Sequence, residues 1–105
     1  MADIDTEWRL LHGGDLIGTI TVDDIDMPWY RGRFLPERGF GQFKRWFDEV
    51  NVLVGDADFG GFEAAYDRIE HALTLLSPHG PVAEFLLHID QERAWFRWDG
   101  VSVVE

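Results

Sequence analysis

A chain of 105 residues with 46% apolar side chains and a formal charge of −11 has the composition of one folded α+β-sized domain spanning residues 1–105, not of a disordered acidic tail. The absence of cysteine excludes a disulfide framework and a thiolate metal site, and it suits a reducing, cytoplasmic setting. With 20 acidic against 9 basic side chains, neither nucleic acid nor an anionic membrane is expected as a partner, because both need a net positive surface; a basic protein is the better match.

The N-terminus, MADIDTEW, has no basic segment followed by an apolar one, and no apolar run approaches the length of a membrane span. Trp8–His12 and Leu16–Val22 are short runs rich in apolar and β-branched residues on either side of Gly13-Gly14-Asp15, which predicts a hairpin. A two-residue and a three-residue turn give different registers, and both are open. Asp23, Asp24 and Asp26 are expected to end the second strand in a solvated turn.

The next stretch, Asp23 to Phe47, concentrates what the remainder of the chain lacks. Arg31, Arg33, Arg38, Lys44 and Arg45 supply five of the nine cationic side chains against the single acid Glu37 between Arg31 and Arg45. Trp29, Tyr30, Phe34, Phe40, Phe43, Trp46 and Phe47 bring aromatics to the same region. Pro28, Gly32, Pro36 and Gly39 predict a long irregular loop up to about Phe40. From there Phe40, Phe43, Phe47, Val50 and Val54 recur at helical spacing, although Val50–Val54 also reads as a short β-prone run. Phe62, Ala65, Tyr66, Ile69, Ala72, Leu73 and Leu76 predict a second amphipathic helix, capped by Asp58 or Gly60 and stopped at Ser77-Pro78.

The C-terminal part reads as a second hairpin around Asp90–Arg93. A turn centred on Gln91-Glu92 sets Ile89 opposite Ala94, Leu87 opposite Phe96 and Phe85 opposite Trp98, which makes one face wholly apolar and assigns it to the helices. Glu84, His88, Trp95 and Arg97 fall on the other face. Asp99-Gly100 predicts a further turn, with Val101–Val104 as an edge strand or a frayed end. The order ββ-αα-ββ predicts an α+β fold: an antiparallel sheet of about four strands in two hairpins, with two helices packed on one face.

No constellation names a reaction. Gly55–Gly61 has acids two apart, as a calcium loop does, but Gly60 lacks an oxygen ligand, Ala64 stands at the ninth position and Asp67 replaces the twelfth-position glutamate. The four histidines are scattered, with no HxH or HExxH spacing. Asp67 and His71, one helical turn apart, are expected to be a surface pair. Ser77 and Ser102 lie in no nucleophile elbow. Gly39–Lys44 puts glycines and a lysine at a helix start, a setting that favours anions in general and matches no phosphate-binding motif. No metal and no cofactor are therefore expected.

The residues point to a non-enzymatic protein–protein interaction module, of the kind that acidic inhibitor or immunity proteins represent, binding another protein or a second copy of itself. Trp29, Tyr30, Arg31, Arg33, Arg38, Lys44 and Arg45 are the expected contact residues, because Trp, Tyr and Arg most often anchor interfaces. The alternative is a small-molecule-binding protein or enzyme, with Arg31, Arg33 or Lys44 holding an anionic ligand in a pocket between loop and sheet and Trp29 or Tyr30 stacking on it.

Overall fold

In the computed structural model, which describes residues 5–101, alternation of inward apolar and outward polar side chains organises three N-terminal strands, not two. Strand β1 (Glu7–His12) buries Trp8 and Leu10 and leaves Glu7 and Arg9 in solvent. Strand β2 (Asp15–Asp26) follows a two-residue Gly13-Gly14 turn that sets His12 opposite Asp15, and Gly13 sits at a φ of 62° that glycine tolerates without strain. Leu10 faces Gly18 while Leu11 faces Leu16, so Ile17 is a bulge residue. Its side chain is buried and its carbonyl accepts the Glu37 N–H at 2.9 Å.

The first half of the region expected to be a loop is strand β3 (Trp29–Pro36). Tyr30, Gly32 and Phe34 point inward while Trp29, Arg31 and Arg33 point out. The two prolines that suggested irregularity stand outside the strand and at its last residue, where no ladder hydrogen bond is lost. Gly32 marks a close approach: a Cβ there would lie 2.2 Å from the Thr21 carbonyl oxygen and 2.9 Å from the Val22 Cα. Backbone cannot move aside as a side chain would, so Gly32→Ala is expected to lower stability by about 1–3 kcal/mol, read from the urea midpoint.

Helix α1 (Gly41–Gly55) buries Phe43, Phe47 and Val50, and it runs through the β-prone Val50–Val54 segment with Val52 and Val54 turned to solvent. Helix α2 (Phe59–Ala72) starts where Asp58 Oδ1 accepts the Gly61 N–H at 3.0 Å, so Asp58 and not Gly60 is the cap of the two the sequence allows. It ends one turn before the expected Leu76. Leu73 turns extended, and Leu73–Ser77 becomes strand β4, paired with β1 from Arg9↔Leu76 to His12↔Leu73.

Strands β5 (Gly80–Asp90) and β6 (Arg93–Val101) pair in the expected register, with Ile89↔Ala94, Leu87↔Phe96 and Phe85↔Trp98. The anticipated Asp99-Gly100 turn is absent, since β6 continues through it to Val101; the remainder of the expected Val101–Val104 strand lies outside the described residues.

The six strands close in the order β1-β2-β3-β6-β5-β4, every neighbouring pair antiparallel. This corrects the expected ββ-αα-ββ sheet of four strands with helices on one face. The architecture is a closed antiparallel barrel with two helices between its third and fourth strands, and closure removes the sheet edges that a four-stranded arrangement would expose. The apolar face of the C-terminal hairpin therefore looks into the barrel and not at a helix layer. Phe96 packs 4.8 Å from the Trp8 ring of β1 and 5.6 Å from the Tyr30 ring of β3.

The closure has one weak seam, and the helices seal it. Between β4 and β5 only Leu76↔Pro81 and Ser77↔Gly80 pair, so the β5 backbone beyond them needs other partners. The Tyr66 hydroxyl of α2 supplies them, donating to the Phe85 carbonyl at 2.8 Å and accepting the Leu87 N–H at 2.9 Å. Asn51 Nδ2 of α1 donates to the Ile89 carbonyl at 2.9 Å. Burial pushes the Tyr66 phenol far above its ordinary pKa, so the hydroxyl keeps the proton it donates.

Candidate interaction surface

The outward side chains of β3, β6 and β5 form a continuous face, because neighbouring strands place Arg31 beside Trp95 and Trp95 beside His88. The His88 ring stacks on Trp95 at 5.4 Å and lies 6.1 Å from both Trp29 and Phe62. That enclosure leaves His88 only 7% exposed, and desolvation lowers its pKa below the usual imidazole value. At neutral pH it is an uncharged ring among aromatic rings. Trp29 and Trp95 remain half-buried, and the Arg97 guanidinium lies over the Trp29 ring at 6.0 Å. Phe62 joins the face from α2, and Phe59, one turn earlier on that helix, is 69% exposed.

One flank of this face is charged. Val22 pairs with Gly32 and Asp24 with Arg31, so Asp23 is the extra residue of a second bulge. Asp23 accepts both Arg93 Nη1 and Nη2, at 2.7 and 2.9 Å, and this fork holds the Asp23 carboxyl below the usual carboxylate range. Arg31 reaches Asp24 at 3.1 Å and Asp26 at 3.6 Å. The three aspartates expected in a solvated turn thus belong to β2 and pair with arginines of β3 and β6.

Of the residues singled out from sequence, Trp29, Arg31 and Arg33 share this face. Tyr30 does not, because it is one residue out of phase; its ring is inside the barrel, 5.8 Å from Trp8 and 6.0 Å from Trp98. Arg38, Lys44 and Arg45 lie before or along the first turns of α1, away from the strand face. Arg38 lines a shallow cavity with His12, Asp15 and Gln42, and Lys44 binds Asp48 at 2.8 Å. The stretch that is one basic island in sequence is therefore split in space, and Arg31 and Lys44 are already paired with carboxylates. Sequence reasoning set Trp95, His88 and Arg97 on the solvent face but did not select them; an indole at an outward strand position was the available signal.

A cavity of about 560 Å³ adjoins the face at Arg97. Pro28, Phe85 and Trp98 give it an apolar side, and Glu70, Glu84 and Asp99 give it an acidic one. Asp67 and His71 stand 3.4 Å apart on exposed helix, and the Asp67 backbone carbonyl beside the imidazole raises the His71 pKa, with the Asp67 charge adding to the effect. Among the described residues no group of three or more His, Asp or Glu is placed to hold a metal ion, and no helix is long and apolar enough to cross a membrane. No protein-family model matches the chain, and neither does any curated protein or solved structure.

Proposed function

We propose that the chain is a non-enzymatic module that binds another protein through the outer face of β3, β6 and β5. The observation that carries this reading is the pair of half-buried tryptophans, Trp29 and Trp95, on the solvent side of a barrel whose interior is already filled. Neither indole is needed to complete the core. Tryptophan beside arginine is the composition that dominates binding energy at interfaces, and the aspartates flanking Arg31 and Arg93 pre-position the guanidinium groups. The overall charge of −11 favours a basic partner and opposes association of two identical acidic surfaces. The alternative of a pocket for an anionic ligand draws less support, since Arg31 and Lys44 are paired internally and the cavity beside the face is acidic.

Trp29→Ala combined with Arg33→Ala is expected to leave far-ultraviolet circular dichroism unchanged, because both side chains project outside the barrel. Partner binding should weaken about 30-fold or more, the equivalent of losing one ~2 kcal/mol anchor. The measurement compares proteins retained from a source-cell lysate by the immobilised wild-type chain and by the double variant, with sedimentation of each chain alone. A folded variant that retains the same partner with the same affinity removes this face from consideration. Loss of secondary structure would instead assign Trp29 to the core.

A further inference from the structure

We infer that His88 is an acid-sensitive latch on the tryptophan face: uncharged, its ring locks Trp29, Trp95 and Phe62 into one packed surface, and on taking up a proton it swings out and loosens them. The three rings come from three different elements, β3, β6 and α2, and lie 6.1, 5.4 and 6.1 Å from the imidazole. His88 is what joins them. Among the described residues neither of its ring nitrogens has a hydrogen-bond partner, so the buried ring is held by packing alone. It stands on the outer side of β5, opposite Trp95, and can turn to solvent without opening the barrel interior.

The charges around the ring do not suit an imidazolium. Trp95 is flanked on the outer side of β6 by Arg93 and Arg97, and Trp29 is followed on the outer side of β3 by Arg31. Asp23 is taken up by Arg93, and Asp24 and Asp26 by Arg31. On β5 itself the outward neighbours are Leu86 and Asp90, and Asp90 stands opposite Arg93. Helix α2 contributes Phe62, with Tyr66 stacked on it and bonded to the β5 backbone, while Glu63 is exposed. Stacking on Trp95 returns part of the hydration a buried cation loses, but Arg97 already lies over the other indole. Desolvation therefore dominates and lowers the His88 pKa. The unfolded chain takes up this proton more readily than the folded one, so the closed face loses stability as pH falls below the ordinary imidazole value, and the loss is complete once the folded ring is protonated. Binding through the face weakens on acidification, and only that consequence rests on the reading of the chain as a protein-binding module.

The test needs the chain alone. Nuclear Overhauser contacts from the His88 ring protons to Trp29, Trp95 and Phe62 are expected in mildly alkaline solution. They should fall by about half or more once the ring is protonated, with a midpoint below the ordinary imidazole value. Trp95→Ala removes one wall of the enclosure and should raise that midpoint. His88→Phe keeps a ring and discards the proton site, so its urea midpoint relative to wild type should rise as pH falls through the imidazole range; the comparison cancels the carboxylates and the other histidines, which both chains carry. If His88→Phe does not fold, the wild-type ring contacts and the Trp95→Ala midpoint decide. Contacts undiminished by protonation, a midpoint that Trp95→Ala leaves in place, or a stability difference constant with pH overturns the latch. That result leaves the tryptophan face standing as a docking surface, just as an unaffected Trp29→Ala/Arg33→Ala variant would leave the latch standing.

Discussion

Leu87→Ala is expected to cost about 2–5 kcal/mol, a large fraction of the ~5–15 kcal/mol that holds a domain of this size together. Leu87 has no exposed surface and stands opposite Phe96, which is equally buried, in the middle of the β5–β6 pair. Truncation removes transfer free energy and leaves a void that the barrel wall is poorly able to collapse into, because β5 is held at this point by β6 on one side and by the Tyr66 hydroxyl on the other. The urea midpoint should fall with little change in slope. An unchanged midpoint would place Leu87 outside the core and undo the inward assignment of Phe85, Leu87, Ile89, Phe96 and Trp98.

Tyr66→Phe is the second large effect expected, even though it deletes a single oxygen. The hydroxyl serves two backbone groups of β5 at once, and both stay buried against α2 when it is gone. Each unsatisfied group costs about 1–3 kcal/mol, so the variant should lose more stability than the removal of a typical hydrogen bond would suggest. The phenyl ring itself keeps its stacking on Phe62 at 5.7 Å, which isolates the polar contribution. Amide exchange at Leu87 should accelerate more than at Phe96, whose strand retains a ladder on both sides. Equal protection at the two amides, with an unaltered midpoint, would show that the β4–β5 seam is sealed by something other than this side chain.

The tryptophan face illustrates how much of a site is visible before the fold is known. Trp29, Arg31 and Arg33 were legible because charge and aromatics cluster in their stretch, yet Tyr30 was grouped with them, since adjacency in sequence conceals that successive strand residues point to opposite sides. Trp95 and His88 sit 64 and 57 positions beyond Arg31; they join only when β6 pairs with β3 on one side and β5 on the other. Gly32 pulled the sequence reading towards a loop by interrupting the apolar alternation. Its actual reason is the passage of the β2 backbone within 3 Å of where a side chain would stand.

Local chemistry alone determined the C-terminal hairpin and its register, the α1 stripe from Phe40 to Val50 and the acidic, cysteine-free character of the chain. Each of these depends on residues a few positions apart, where turn geometry and side-chain period leave one favourable answer. Tertiary structure decided the number of strands, the end of α2 and the closure of the barrel. Leu73-Thr-Leu-Leu76 satisfies a helical and an alternating period equally well, and the choice falls to β1, which pairs with every residue from Leu73 to Leu76 and would otherwise have been left as an open edge.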